Sequence, residues 1–348
     1  MAFNPLALKL HPSNLGLPTT VEIGEAVRLF EPDPKMFRLA SLFPMKLISA
    51  QTLTWNELES ILGMTKGYTV DSDVARVGHR SRTPRSAEPF FFRESGTLVE
   101  SDFINAMSEM AYNKLACEEL VMNFSAQLDL RCETRIEWCR AQALANGSIT
   151  VGSRTVEYNI PGTHQVTAGT LWSDPSADVI GHIQAWIMLF RGVGTGIRCM
   201  YSRKVAQYLS RNEKLIDLFK QSGFAGDIGP AKVGKLLESV VGDGQPITFE
   251  IYDDGYLDED TGVYYPFLPD NKFIMIANPP KGQPLGHFMS TPSISNAGEN
   301  EYTPRAGKFV VVDNRLKQGK PEWEQTQGIY GGVALYHPKN VIQAQIAA

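Results

Sequence analysis

Between Thr97 and Asn146 the chain contains neither glycine nor proline, although those residues punctuate nearly every other stretch. Within this gap a seam of mostly apolar side chains runs Phe103, Met107, Met110, Cys117, Val121, Phe124, Leu128, Cys132, Ile136, Cys139 and Ala143, broken only by Lys114. Counting Lys114, the seam advances 40 residues in 11 steps, about 3.6 per step. That is the period of a straight amphipathic helix rather than a supercoiled heptad. Ser101 and Asp102 supply capping chemistry at its start, and Asn146-Gly147 a left-handed stop. The expectation is one helix over about 102–145, roughly 65 Å long at 1.5 Å per residue. A globule of this chain length is only about 50 Å across. The helix therefore predicts an elongated or plate-like subunit, a shape suited to touching other copies of itself.

The remaining composition narrows the class. With 348 residues, 43% hydrophobic and 20% charged, the chain is neither disordered nor membrane-embedded in character. Its densest apolar run, Ala185 to Phe190, ends at Arg191 and falls far short of the ~18 residues of a bilayer span. Met1-Ala2-Phe3-Asn4-Pro5 lacks the basic-then-apolar layout of a secretion signal, so synthesis in the cytoplasm is expected. A net charge of −5 gives no reason for strong attraction to nucleic acid. Cys117, Cys132 and Cys139 share the predicted helix, and even the closest pair would lie about 10 Å apart along its axis, too far to bridge. No CxxC pair or cysteine–histidine cluster suggests zinc.

Along the chain, residues 1 to about 50 are spaced by Pro5, Pro12, Pro18, Pro32, Pro34 and Pro44 and read as an extended arm, with a short helical piece near Ile23 to Phe30. Residues 51–95 read as a long β-hairpin whose tip carries Arg76, His79, Arg80, Arg82 and Arg85, followed by Pro89-Phe90-Phe91-Phe92. After the predicted helix come a hairpin over Ser148 to Tyr158 turning near Gly152, and a helix bearing Val179, Ile183, Trp186 and Ile187. A strand at Gly196 to Tyr201 and a helix over Ser202 to Lys220 follow. Ile247 to Tyr252 leads into an acidic turn, Tyr264 to Leu268 returns, and Lys272 to Ala277 forms another strand. A polar, glycine-spaced stretch from Ser290 to Lys320 precedes a last strand pair near Gly328 to Tyr336 and Val341 to Ile346.

Sites of chemistry are hard to find. Gly229-Pro230-Ala231-Lys232-Val233-Gly234-Lys235-Leu236 approaches a phosphate-binding loop, but Leu236 stands where a magnesium-binding hydroxyl belongs and no apolar strand precedes it. Gly192-Val193-Gly194-Thr195-Gly196 has its third glycine one residue early for a dinucleotide turn and reads as a joint. Asp253, Asp254, Asp258, Glu259 and Asp260 crowd one turn without the closing glutamate of an EF-hand, so a solvated hairpin tip is expected rather than a calcium site. The six histidines are scattered, with no HExxH pair, and no serine sits in a GxSxG elbow. Neither catalysis nor a cofactor or metal is expected. The arginines at the hairpin tip read either as a solvated basic cluster or, since arginine forks suit bidentate pairing, as a contact surface for a partner's carboxylates.

Several segments resemble the major capsid protein of lambda-type tailed phages, the major capsid protein E family. They include Ile247-Thr-Phe-Glu-Ile-Tyr252, the acidic turn, Thr261-Gly262-Val263, and Phe267-Leu268-Pro269-Asp270-Asn271 with its following apolar strand. Thr170-Leu171-Trp172-Ser173 and the region from Pro321-Glu322-Trp323 to Ile346 are similar too. The likeness is strongest in the last two-thirds; the arm and hairpin match in layout only. It implies an α+β Hong Kong 97-type capsid fold: arm at 1–50, E-loop hairpin at 51–95, peripheral domain at 96–185 and 299–334 with the spine helix, and axial domain at 186–298 and 335–348. It also implies a non-enzymatic protein that self-assembles as pentamers and hexamers into an icosahedral phage head enclosing double-stranded DNA without sequence-specific binding. Assembly would take place in the host cytoplasm with a scaffolding protein, a portal and a decoration protein, and without a membrane. Arg76, Arg80, Arg82 and Arg85 on the E-loop, and Arg305 and Lys308 near the threefold positions, are the expected inter-subunit contacts. An encapsulin-type bacterial shell and a cytoplasmic α/β enzyme are the alternatives. Some capsids of this fold are cross-linked between an E-loop lysine and a peripheral asparagine. Here no lysine lies between Lys66 and Lys114, although Asn296 and Asn300 are available. A non-covalent wall is expected.

Overall fold

The computed structural model describes residues 17–29, 33–58, 82–106, 113–194, 196–221, 229–242, 246–279, 282–298, 301–314 and 322–348. Arg76, His79, Arg80, Met107, Met110, Lys66, Asn300 and the prolines of the arm before Leu17 lie outside these residues.

Two sheets and one long helix organise the subunit. The first sheet is built on β17 (Glu322–Leu335), whose 14 residues serve three partners. One edge pairs antiparallel with β4 (Phe90–Val99). The other pairs first with β16 (Lys308–Asn314) and then with β13 (Gly286–Ser290), which carries the short parallel strand β1 (Met45–Leu47). The second sheet runs β7 (Gln165–Thr167), β18 (Val341–Gln345), β12 (Lys272–Ala277), β8 (Ile197–Tyr201), β9 (Ile247–Ile251). Its centre, β12, is buried from Phe273 to Ala277, the continuous apolar run of a strand covered on both faces. The expected last strand pair is therefore not a pair. β17 and β18 belong to different sheets, linked by a short 3-10 turn at Pro338–Asn340.

The spine helix is shorter than expected. A separate helix, α2 (Glu100–Ala106), carries Phe103, and the long helix α3 spans Lys114–Asn146. Asn113 is the reason for the late start. Its backbone is extended (φ −117°, ψ 96°), and its side chain accepts from the Ala116 N–H at 3.3 Å, capping a new helix. At 33 residues α3 is about 50 Å long. Its end agrees with expectation: Gly147 adopts φ +66°, a left-handed stop that a side chain would strain.

The expected helix over Ser202 to Lys220 is likewise two, α5 (Arg203–Arg211) and α6 (Glu213–Gln221). Asn212 breaks it. Its amide donates to the carbonyls of Pro175 and Ala177, and its Oδ1 accepts from the Leu215 N–H at 3.2 Å. Helix α4 (Val179–Ile187) lies where expected, and α1 (Thr20–Leu29) covers the expected piece of the arm. The stretch from Ser290 to Lys320 is not merely polar linker: it holds the hairpin β14 (Pro292–Gly298)–β15 (Glu301–Ala306) and then β16.

Three cores result. The C-terminal half of α3, including Ile136 and Leu144, packs between the sheets against Phe288, Val333, Ile274 and Ile276, so the expected peripheral and axial regions share one interior. The far face of the second sheet packs against α4, α5, α6 and α7 (Pro230–Val241) through Trp172, Ile183, Leu209, Leu237 and Phe273. The N-terminal half of α3 packs Cys117 and Val121 against Ile23 and Val27 of α1, with Leu98 and Trp323.

Candidate self-association surfaces

Between the two apolar ends of α3 lies a polar zone. Glu118, Ser125, Asp129, Glu133, Glu137 and Arg140 are all buried, on the face adjoining the apolar seam. The Gln325 amide donates to Ser125 Oγ at 2.9 Å, and the Gln327 amide to the Ser125 carbonyl at 3.2 Å. Lys308, expected at an inter-subunit contact, is only 8% exposed. Its Nζ lies 2.7 Å from Asp129 and 2.6 Å from Glu133 of its own chain. Two carboxylates share one ammonium out of water, and burial pushes the Asp129 carboxyl up to about 6 despite Lys308 beside it. Lys308 thus fastens β16 to α3 from within its own subunit.

The hairpin β2 (Leu53–Leu58)–β3 (Arg82–Ala87) pairs Leu53 with Ala87 through Leu58 with Arg82. Leu53 and Trp55 face inward while Thr54 and Asn56 face out, the alternation of a half-covered strand. Arg82 is exposed. Arg85 is half-buried and pairs with Glu57 of its own hairpin at 3.0 Å. Arg305 lies on β15, opposite Ser293, with its side chain outside the described residues.

The acidic turn belongs to a second hairpin, β10 (Gly255–Asp258)–β11 (Val263–Pro266). Arg131 on α3 ties it down. Its guanidinium forks between Glu94 of β4, at 2.6 Å from Nε, and Glu259 of the turn, at 3.1 Å from Nη2. Hydrogen bonding from Arg131 holds the Glu259 carboxyl below its usual range. Beside this fork, Phe91, Leu130, Trp138 and Leu257 line a groove of about 620 Å³ between α3, β4 and β10. Sequence reasoning missed both Arg131 and the polar zone. The i, i+4 repeat of Ser125, Asp129, Glu133 and Glu137 was the available signal.

The two glycine-rich motifs are structural. Gly229 caps α7, whose Val233 and Leu236 are buried, so the phosphate-loop residues are helix. Gly194 and Gly196 join a 3-10 turn (Met188–Phe190) to β8, and a Cβ on Gly194 would meet the Asn278 carbonyl at 2.5 Å. Among the described residues no three metal-ligating side chains converge.

The sequence profile of phage major capsid protein E matches residues 19–309, from the residue before α1 to the second residue of β16. The chain belongs to that family. No curated protein matches it in sequence. In fold it is similar to a phage-related protein from Bordetella bronchiseptica RB50, with 14% identity and a TM-score of 0.57 over 93% of this chain and 96% of that one. It is also similar to a prophage protein of Escherichia coli CFT073 described as a capsid protein, with 16% identity and a TM-score of 0.52 over 92% and 95%. The architecture is thus the Hong Kong 97-type capsid fold, and the protein is a structural capsid component rather than an enzyme. It associates with copies of itself in a virion shell.

Proposed function

We propose that the chain builds an icosahedral head from rings of five and six subunits around double-stranded DNA. The family match over residues 19–309 carries this reading. In it, residues 186–298 and 335–348 gather at the ring axes, the β2–β3 hairpin reaches over a neighbour, and the β14–β15 hairpin meets its equivalents at threefold positions. Arg76, Arg80, Arg82 and Arg85 pair with a neighbour's carboxylates, and Arg305 contributes at the threefold. Assembly proceeds in the host cytoplasm on a scaffolding protein, around a portal, with a decoration protein added outside. A net charge of −5 suits a wall that encloses DNA without gripping it. Many modest contacts repeated around rings let a thin shell resist internal pressure.

Co-expression with the scaffolding protein of the same phage tests this reading. Particles of megadalton mass with fivefold and sixfold clusters by electron microscopy are expected. A well-behaved monomer under every condition would overturn it.

A further inference from the structure

The β10–β11 hairpin carries a surface that the described residues of the subunit leave uncovered. Its inner side is in use: Tyr256 packs on the main core and lies 6.4 Å from the ring of Phe267. Its outer side is not. Leu257 and Tyr264 sit directly opposite each other across the two strands and are 60% and 53% exposed. Single exposed apolar residues are ordinary, but a directly opposed cross-strand pair on one face joins into a continuous apolar surface, and surfaces of this kind mark association sites. Two features hold the patch at a fixed angle. Arg131 bridges the turn to α3 and β4, and the Tyr264 hydroxyl donates to the Asp253 carbonyl at 3.0 Å.

Charge identifies the occupant. Residues 253–266 carry five carboxylates and no basic side chain, whereas residues 74–87 carry four arginines and no acid. Within one subunit Arg85 is already engaged by Glu57, whereas Arg82, three residues earlier at the start of β3, is exposed. We propose that the Leu257–Tyr264 face of the β10–β11 hairpin is a docking surface for a second copy of this chain. The Arg82 end of that copy's β2–β3 hairpin lies along the Asp258–Asp260 rim, and Arg131 is the positioning residue that sets the angle of the face. The assignment rests on the shell reading above and names the carboxylates that the arginine hairpin meets.

The test uses the full chain co-expressed with its scaffolding protein. Leu257→Ser with Tyr264→Ser, Asp258→Arg alone and Arg82→Asp alone should each lower the assembled fraction by at least about tenfold, because each loss repeats at every contact of the shell. The subunit should stay folded by circular dichroism. Combining Asp258→Arg with Arg82→Asp should restore particles. Arg131→Ala should increase hydrogen exchange across 255–266 and reduce assembly without lowering the melting temperature of the α3 core. Normal particles from the Leu257/Tyr264 variant would overturn the docking surface, and failure of the charge swap to rescue would overturn its occupant. A wild-type chain that never assembles would overturn the shell reading, and the inference with it.

Discussion

Tyr252 donates a 2.7 Å hydrogen bond to Glu137, a glutamate with no exposed surface on the spine helix. The same Oε1 accepts from the Leu39 N–H at 2.7 Å, while Oε2 takes Arg140 at 3.0 Å. Two segments far apart in sequence, around Leu39 and Tyr252, are thereby fixed to α3 at one carboxylate. Burial and the Glu137 charge push the Tyr252 hydroxyl well above its usual range, so it stays a donor.

Removing members of this set should give graded losses. Tyr252→Phe deletes one hydrogen bond to a charged acceptor and should cost about 1.5–3 kcal/mol. Glu137→Ala leaves Arg140 buried without its partner and should cost about 3–5 kcal/mol. Urea unfolding of the subunit measures both. Equal small losses would mean that the carboxylate does not organise the junction.

The Lys308 cluster should make stability depend on pH in an unusual direction. Asp129 is raised in the folded subunit to about 6, above its unfolded value. The native state therefore binds the proton more tightly, and stability from this group grows as pH falls through 6 and is lost as pH rises through it. Between pH 7 and pH 5 the gain should be about 1 kcal/mol. Asp129→Asn, which mimics the protonated form, should abolish that slope in urea titrations at the two pH values. Lys308→Met should destabilise by about 3–5 kcal/mol, since two carboxylates lose their only ammonium in the ion pairs described above.

Thiol chemistry should be silent in the native subunit. Cys117, Cys132, Cys139 and Cys199 are all buried, and burial pushes the Cys132 and Cys139 thiols up to about 12. Thiolate, the reactive form, is then scarce as well as shielded. Maleimide should label none of them until denaturant is added, and then all four. Rapid native labelling of any one would contradict the packing of α3.

How far the sequence could be read differs between the two sides of that helix. The apolar seam and the stop at Asn146-Gly147 are local signals, and both stand in the structure. The break at Asn113 was hidden because no glycine or proline marks it; an asparagine changing role from helix residue to cap leaves no compositional trace. Charged residues at 118, 129, 133, 137 and 140 carry no local mark of burial, since what covers them is remote: β16 and β17 lie nearly 200 residues downstream, and Leu39 about 100 upstream. Periodicity reports which face is apolar, not whether another face is buried by polar partners. Strand identity was legible, as at Lys272–Ala277, but sheet membership was not. The partners of β17 and β18 depend on long-range pairing that local pattern does not encode.

The wall should hold without covalent links. A lysine amine on the E-loop is the nucleophile that cross-linking in this fold requires, and the hairpin strands here present Arg82 and Arg85 instead. A guanidinium stays protonated and cannot attack an asparagine side chain. No lysine stands between Lys66 and Lys114, and Lys308 on β16 is engaged with Asp129 and Glu133 inside its own subunit. Mature particles boiled in detergent should therefore release a single band near 38.5 kDa. A ladder of covalent pentamers and hexamers on that gel would prove this wrong, and Lys66→Arg would then be the first substitution to make.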